Sequence, residues 1–379
     1  MKKHKILKIT GIVLGSLILL IAVIAGILCL RLRTAVKNLT RVDDGGYLYS
    51  MDYTASYDNA LMKFPINYIK TAGCSAFTTV NEEGDVITAR NYDLPHTDED
   101  GNATGLNVVF TLRPEGKYAS INFADAAWLT MIGIPYTAGA FDEGGASPMF
   151  LAFMPYLCMD GMNEKGLTVS ILALDIKDGE AAVDQTEAGK DTVTITEMLR
   201  LMLDNCADVE EAIAMAQAYN LTNILGSDFH LFVTDAEGTG VVMEWRYNTL
   251  TLTWQDAVTN FYVGYDDAED CYYGDALKET FVRAEDLSWD YLYGYGHGYA
   301  RFNTVAEMLD DHVTDPGTYA TMVTDAEAMD TLAAVSQEYD GTDLTSLTQY
   351  SVIYNSTDLT AEVCVMRDYS VHYTFSLKD

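Results

Sequence analysis

The succession of strand and helix patterns after residue 73 limits the possible folds more than any other feature of this sequence. Residues 74–80 and 86–91 have the character of strands, and the NEEGD run between them is typical of a turn, so this stretch predicts a β-hairpin. Further strands are predicted at residues 106–112, 118–123, 167–174, 230–234 and 241–245, and near residues 350, 361 and 371. Helical patterns interrupt these strands twice. This order predicts a layered α+β domain.

Two of the predicted helices are recognised from their first turns. Thr194 with Glu197, and Asp208 with Glu211, have the spacing at which a side chain accepts a hydrogen bond from an unpaired first-turn amide. Apolar residues follow at helical spacing, so each helix is expected to pack one face on a sheet. Two more helical patterns lie at residues 301–309 and 326–338.

The N-terminal part of the chain predicts a membrane attachment. Residues 1–8 are basic, and residues 9–30 form an apolar run that is long enough to cross a bilayer as a transmembrane or signal-anchor helix. Basic residues flank this run on both sides, so their count does not fix the orientation, although the acidic bulk of the chain favours a position of the folded domain outside. Residues 31–73 are interpreted as a linker or propeptide, and residues 74–379 as the folded domain.

Charge and cysteine content narrow the function classes. The formal net charge of −33 opposes any surface that binds phosphates, so nucleic acid is not an expected partner. The six cysteines include no CxxC pair and have no histidine at metal-ligand spacing. The sequence therefore predicts neither a disulfide framework nor a metal site, and it predicts no cofactor.

Cys74 is the candidate nucleophile. It follows the small residue Gly73 at the start of a predicted strand, where a backbone cut would make it N-terminal. Its own α-amine, with an ordinary pKa near 7.7 to 8.0, can then take the thiol proton. The hairpin folds Arg90 and Asp93 back beside it, so that Arg90 can favour the thiolate and Asp93 can hold the α-ammonium. A structural cysteine beside an ordinary surface Arg–Asp pair is the alternative.

Several motifs in the same order resemble the choloylglycine hydrolases, the family of bile salt hydrolases and penicillin V acylases related to acid ceramidase. Gly73-Cys74 and the ARNYD run at residues 89–93 resemble its nucleophile and the partners of that nucleophile. The other similar stretches are DGMNEKGL at 160–167, NCADVEE at 205–211, the hairpin at 230–245, VTN at 258–260 and YARF at 299–302.

This resemblance implies a four-layer αββα N-terminal-nucleophile hydrolase sandwich that cleaves linear carbon–nitrogen amide bonds. It implies that Cys74 is the nucleophile, Arg90 and Asp93 its orienting partners, Asn260 a donor to the oxyanion and Arg301 a second cation near the active centre. Bile salts, penicillin V and other N-acyl amides are the implied substrate class, so the expected partner is a small amphipathic amide. A homo-oligomer is also expected.

Two departures from the family pattern bear on the site. Many relatives have an asparagine that helps to form the oxyanion hole in the strand after the NEKG turn, where this chain has Ala173. The run Thr259-Asn260-Phe261-Tyr262 also differs from the Asn-Asn-Pro type of sequence that is usual there. The side-chain contribution at Ala173 is therefore lost, although a backbone amide can still serve.

Other functions remain open from the sequence. An acyltransferase would use the same acyl-enzyme, a silent membrane-tethered binding module would keep the fold alone, and a cell-envelope peptidase would cut peptides. A Cys–His hydrolase would need a histidine beside the nucleophile, and the candidates are His96, His230, His297 and His312. The predicted cut at Gly73-Cys74 also separates catalyst from anchor, so the enzyme either stays at the membrane through a bound propeptide or is released.

Overall fold

The structure is a computed structural model of the whole chain. It describes residues 26, 30, 32–57, 73–97, 103–143, 145–174, 182–222, 228–263, 265–266, 271–272, 298–310, 324–338 and 347–378. The predicted membrane helix at residues 9–30 lies outside these residues except for Gly26 and Leu30. Among the described residues, no helix combines the length and the apolar content that a bilayer crossing requires.

Nineteen strands and four α-helices make up the described fold. The strands are β1 Val36–Arg41, β2 Leu48–Tyr53, β3 Gly73–Val80, β4 Val86–Asp93, β5 Asn107–Leu112, β6 Ser120–Asp125, β7 Cys158–Asn163, β8 Thr168–Leu174, β9 Thr192–Val193, β10 Asn220–Leu221, β11 Asp228–Thr234, β12 Gly240–Arg246, β13 Thr249–Trp254, β14 Ala257–Val258, β15 Tyr265–Asp266, β16 Cys271–Tyr272, β17 Thr348–Asn355, β18 Thr360–Val365 and β19 Tyr373–Ser376. The α-helices are α1 Ile195–Asn205, α2 Val209–Ala218, α3 Gly298–Asp310 and α4 Asp325–Ala334, and two 3₁₀ helices span Ala126–Ile132 and Pro148–Tyr156.

Two large sheets form the centre of the molecule. The first has nine strands in the order β1-β2-β5-β6-β7-β8-β11-β12-β13, and the second has six in the order β14-β3-β4-β17-β18-β19. Helix α1 packs on β7 and β8 of the first sheet, whereas α3 and α4 pack on β3, β4 and β17 of the second. The order of layers is therefore helix, sheet, sheet, helix, as predicted.

Strand alternation separates the two faces of the nine-stranded sheet. In β7, Asp160 points towards the second sheet, where it meets Arg90, while Asn163 points the other way and donates to carbonyl oxygens of Leu203 and Cys206 at the end of α1. Side chains three positions apart in a strand lie on opposite faces. This alternation lets one strand contribute both to the space between the sheets and to the helix layer.

The helix starts confirm the local predictions. Thr194 and Glu197 form a complete capping box at the start of α1, and the Asp208 side chain accepts a hydrogen bond from the Glu211 amide at the start of α2. These bonds satisfy first-turn amides that no helical carbonyl can reach, so short-range sequence alone determined them.

The segment before Cys74 contains two strands that the sequence analysis did not predict. Residues 31–73 were interpreted as a linker or propeptide, but β1 and β2 pair antiparallel with each other, and β2 pairs parallel with β5. Leu48, Tyr49 and Met51 of β2 are buried in the main hydrophobic core. This partnership was missed because β5 follows β2 by more than fifty residues, and no local periodicity records it.

Candidate active site

The hairpin of β3 and β4 places Cys74 opposite Tyr92 and Gly73 opposite Asp93. Its turn is fixed by Asn81, whose side-chain oxygen accepts the amides of Glu83 and Asp85. Cys74 is 2% exposed at the start of β3, on the six-stranded sheet. The predicted hairpin is confirmed, and it brings Arg90 and Asp93 of the ARNYD run close to the candidate nucleophile.

Arg90 crosses the space between the two sheets and ends at the Cys74 thiol. Its Nη2 lies 3.7 Å from Cys74 Sγ and donates to the carbonyl oxygen of Ile171 at 2.6 Å. Its Nη1 donates to the carbonyl of Met159 at 2.6 Å and to Asp160 Oδ2 at 2.5 Å. With a side chain that is 0% exposed, Arg90 is not part of a surface ion pair, which excludes the alternative of an ordinary surface Arg–Asp pair.

Asp160 is the counter-ion of Arg90, a role that the sequence analysis did not assign. The two side chains are both 0% exposed, and the hydroxyls of Tyr350 and Tyr354 donate to the remaining carboxylate positions. These bonds satisfy lone pairs of the Asp160 carboxylate, which offsets part of the cost of burying the ion pair. Asp160 opens the DGMNEKGL run, so its place in a motif was a signal, but the partner of its carboxylate was not visible in the sequence.

Asn260 and Arg301 meet the main chain of Cys74 on its other side. Asn260 Oδ1 accepts the Cys74 amide at 2.6 Å and Arg301 Nη2 at 2.7 Å, while Asn260 Nδ2 donates to the carbonyl oxygen of Ala173 at 2.7 Å. Arg301 Nη1 donates to the Cys74 carbonyl oxygen and, at 2.6 Å, to Ser75 Oγ. The two side chains therefore fix both polar groups of the Cys74 backbone.

Asp93 is held by two neutral donors and lies near a cation. Thr348 Oγ1 donates to its Oδ1 at 2.6 Å, Gln337 Nε2 donates to its Oδ2 at 3.2 Å, and Arg301 Nη1 lies 4.0 Å away. Gln337 also lies against Gly73, since a Cβ built on Gly73 would fall 2.6 Å from Gln337 Nε2. The structure thus brings all five predicted residues, Cys74, Arg90, Asp93, Asn260 and Arg301, to one place.

Comparison with known proteins agrees with this geometry. Residues 74–258 match the model of the linear amide C-N hydrolases, choloylglycine hydrolase family. The resemblance to the choloylglycine hydrolases is confirmed. The matched residues include Cys74, Arg90 and Asp93, whereas Asn260 and Arg301 lie beyond them.

Solved structures with a similar fold include a conjugated bile acid hydrolase and a penicillin V acylase. A cysteine-to-alanine mutant of conjugated bile acid hydrolase from Clostridium perfringens aligns with a TM-score of 0.55 at 15% identity, covering 80% of this chain and 92% of that one. Penicillin V acylase from Agrobacterium tumefaciens aligns with a TM-score of 0.50 at 16% identity, covering 81% and 87%. At this identity the likeness shows the fold. No curated protein matches the chain.

Burial disfavours the charged forms of the Cys74 thiol and of the Asp93 carboxyl, which lie on the two strands of the β3–β4 hairpin. Burial raises the pKa of the Cys74 thiol, although the Arg90 guanidinium acts in the opposite direction. Burial also raises the pKa of Asp93 to about 6, with the Arg301 charge lowering it in part. In the uncut chain the thiol is therefore kept protonated, and the predicted thiolate stabilisation by Arg90 is outweighed by desolvation.

Ala173 contributes through its backbone. Its carbonyl oxygen accepts a hydrogen bond from Asn260 Nδ2 and so orients the Asn260 side chain. Many relatives have an asparagine at this position, and the methyl side chain of Ala173 cannot donate a hydrogen bond in its place. The position thus keeps a supporting contact rather than a donor.

The histidines that the structure describes in this region bond to other groups. His96 lies 2.6 Å from Asp125, and His230 contacts Glu244 and the Thr259 carbonyl. The other two candidates, His297 and His312, lie outside the described residues. Within the described part of the chain, no group of three His, Cys, Asp or Glu side chains is arranged to hold a metal ion.

Proposed function

We propose that this protein hydrolyses linear amide bonds through an acyl-enzyme on Cys74, after the Gly73–Cys74 bond has been cut. One observation carries the proposal: the sulfur, nitrogen and carbonyl oxygen of Cys74 each face a separate polar group. Arg90 lies at the sulfur, Asn260 at the nitrogen and Arg301 at the oxygen. A structural cysteine requires none of these contacts.

The freed α-amine of Cys74 is the proposed base. In the uncut chain its nitrogen already donates to Asn260 Oδ1 at 2.6 Å, so the amine is oriented before it forms. The amine takes the thiol proton, and the sulfur attacks the amide carbonyl carbon. The carbon–nitrogen bond then breaks, and the leaving nitrogen receives that proton. Water hydrolyses the resulting thioester and restores the thiol.

Asn260 is the proposed oxyanion donor, as expected from the sequence. Its amide plane is held on one side by Ala173 and on the other by Arg301 and Cys74. A donor fixed in this way stabilises a developing oxyanion by some ~3 to 4 kcal/mol, because it needs no reorganisation at the moment of reaction. Asp93 is the proposed counter-charge for the α-ammonium, since it faces Gly73 across the hairpin.

The proposed substrate is a small amphipathic amide with an apolar acyl part. Support comes from the related folds, whose names specify a conjugated bile acid hydrolase and a penicillin V acylase. The acidic net charge of −33 argues against polyanionic substrates.

We also propose that the segment before the cut stays bound and keeps the enzyme at the membrane. Strand β2 is hydrogen-bonded to β5 along its whole length, and the hydroxyl of Tyr57 donates to the buried Asp204 carboxylate at 2.7 Å. Tyr53 donates to the carbonyl oxygen of Ala152 at 3.2 Å. Cleavage after Gly73 breaks none of these contacts, so residues 9–30 remain attached to a catalytic domain outside the cell.

Mass analysis tests the cut and the retention together. Wild type is expected to give two pieces under denaturing conditions, with Cys74 at the N-terminus of the larger, and a single particle under native conditions. Cys74→Ala is expected to stay intact. An active wild-type enzyme with an uncut Gly73–Cys74 bond would rule out the α-amine mechanism.

Turnover tests the chemistry. Purified wild type should hydrolyse at least one of penicillin V, a glycine-conjugated bile acid and an N-acyl amino acid, whereas Cys74→Ala should hydrolyse none. Product analysis with an added amine separates hydrolysis from acyl transfer, because a transferase forms a new amide in place of the free acid.

A further inference from the structure

A buried His–Glu pair contacts the segment of the chain that carries Asn260. His230 in β11 and Glu244 in β12 are both 0% exposed, and His230 Nδ1 lies 3.0 Å from Glu244 Oε1. His230 Nε2 lies 2.7 Å from the carbonyl oxygen of Thr259, and Glu244 Oε1 accepts the amide of Val263 at 2.9 Å. The pair therefore contacts both ends of the five-residue segment that carries Asn260, residues 259–263.

The hydrogen bonds fix the number of protons on the pair. A carbonyl oxygen only accepts, so His230 Nε2 carries a hydrogen that it donates to Thr259. A lone pair on Nδ1 facing a carboxylate lone pair would be repulsive, so one more proton must lie between His230 and Glu244. The pair is then either imidazolium with carboxylate or imidazole with carboxylic acid, and both arrangements are neutral overall, as burial requires.

The segment is also tied to the helix that carries Arg301. Thr259 Oγ1 donates to the carbonyl oxygen of Gly298 at 2.7 Å, at the first residue of α3. Arg301 lies one turn further along this helix and donates to Asn260 Oδ1. A shift of Thr259 would therefore move both groups that hold the Cys74 main chain.

We infer that His230 and Glu244 are positioning residues for amide hydrolysis, which hold Asn260 in register with Cys74 through Thr259 and Val263. This inference rests on the proposed function, because it assumes that Asn260 acts on the reacting carbonyl. Neither residue contacts Cys74 among the described contacts, so they act through the segment that they fix. A misplacement of about 1 Å at such a donor lowers the rate by up to ~100-fold.

Glu244 offers a discriminating pair of variants. Glu244→Leu removes the partner of His230 Nδ1 and of the Val263 amide. Both contacts use Oε1, so Glu244→Gln keeps only one of them: an amide oxygen at that position still accepts from the Val263 amide, whereas the proton shared with His230 Nδ1 is lost. His372→Phe is the matched control, because His372 forms an exposed pair with Glu362, at 2.7 Å, away from the site.

The kinetic test compares kcat and KM for the acyl amide that wild type turns over. His230→Phe and Glu244→Leu are expected to lower kcat by about 10- to 100-fold with KM within about threefold of wild type. Glu244→Gln should recover part of what Glu244→Leu loses, because it keeps the Val263 contact, and His372→Phe should match wild type. A Glu244→Leu variant or a His230→Phe variant within twofold of wild type would overturn the inference.

Hydrogen-exchange mass spectrometry gives a readout that does not require activity. The peptide covering residues 257–263 should exchange faster in His230→Phe and Glu244→Leu than in wild type, with Glu244→Gln between them, while the β3–β4 peptide stays unchanged. If wild type hydrolyses no amide, the proposed function fails, yet this exchange pattern still decides whether the pair holds the segment. Should His230→Phe fail to fold, the two Glu244 variants carry the comparison alone.

Discussion

The two arginines beside Cys74 differ in their counter-ions and in the groups to which they donate. Arg90, 0% exposed, is neutralised by the buried Asp160 and approaches the thiol with one nitrogen. Arg301, 6% exposed, lies 4.0 Å from Asp93 and uses its nitrogens on the Cys74 carbonyl, Ser75 and Asn260. Arg90 is thus part of the folded core and of the site at once, whereas Arg301 mainly arranges the site. Variants should separate these two roles.

Replacing Arg90 should have the largest effect. Arg90→Met leaves Asp160 as an unpaired buried charge, so the free energy of unfolding should fall by about 3 to 5 kcal/mol and amide hydrolysis should be lost. Chemical denaturation and turnover measure the two effects. The double variant Arg90→Met with Asp160→Asn should regain much of the stability but no activity.

An exposed pair provides the control for this variant. Arg367 lies 3.0 Å from Glu338 with side chains that are 32% and 75% exposed. Arg367→Met should cost less than about 1 kcal/mol, since exposed ion pairs contribute little. Activity in the Arg90/Asp160 double variant would show that Arg90 acts only as a structural residue.

Replacing Arg301 should affect catalysis more than stability. Arg301→Gln removes the donors that hold the Cys74 carbonyl and Asn260 Oδ1, so kcat should fall by about 100-fold, the scale of one lost oxyanion-site donor. The free energy of unfolding should change by less than about 2 kcal/mol, because Asp93 keeps its Thr348 and Gln337 donors. An equal loss of stability in Arg301→Gln and Arg90→Met would contradict the view that Arg90 stabilises the core more than Arg301 does.

Asp93 should make the stability of the uncut chain depend on pH. Its pKa is raised to about 6 in the folded chain, so between pH 4 and pH 6 the folded state binds more protons than the unfolded state. The free energy of unfolding that Asp93 contributes is then full at low pH and is lost as pH rises through 6. The total change in the free energy of unfolding is at most about 3 kcal/mol for a pKa shift of two units.

The measurement compares Cys74→Ala with Cys74→Ala/Asp93→Asn, which both keep the chain uncut. The unfolding free energy of the double variant should rise relative to that of the single variant between pH 4 and pH 7. A difference that is flat across this range would mean that Asp93 binds its proton equally in both states.

Gly73→Ala should have the smallest effect. The new Cβ would press on the end of the Gln337 side chain, which can move but only by weakening its bond to Asp93. Cleavage should slow by a few fold, measured as the rate at which intact chain disappears by mass. Adding Gln337→Ala should speed cleavage relative to Gly73→Ala alone, and a double variant slower than Gly73→Ala would contradict the clash.

Local sequence predicted those parts of the site that depend on neighbours in the chain. The β3–β4 hairpin follows from its turn, and the helix starts at Thr194 and Asp208 follow from their caps. The spacing of Cys74, Arg90 and Asp93 within one hairpin guarantees their proximity once the hairpin forms. Asn260 and Arg301 came from the family resemblance, since nothing in their spacing points to Cys74.

The residues that the sequence did not reveal act across long separations. Asp160 pairs with Arg90 from the other sheet, Gln337 and Thr348 reach Asp93 from the end of the chain, and His230 supports Asn260. Each of these contacts joins residues more than twenty-five positions apart along the sequence. Propensity and periodicity describe only nearby residues, so they carry no record of such pairs.

By itself, the sequence determined the layered α+β class, the hairpin that presents Cys74 and the chemistry available to it, because strands, turns and caps depend on short-range hydrogen bonding. Only the tertiary structure decided which charges are paired and which side chains are held. Arg90 and Asp160 form an ion pair between the two sheets, and burial raises the pKa of Asp93. The pairing of β2 with β5 makes β2 part of the domain. Desolvation depends on everything that surrounds a group, and that environment exists only once the layers have packed.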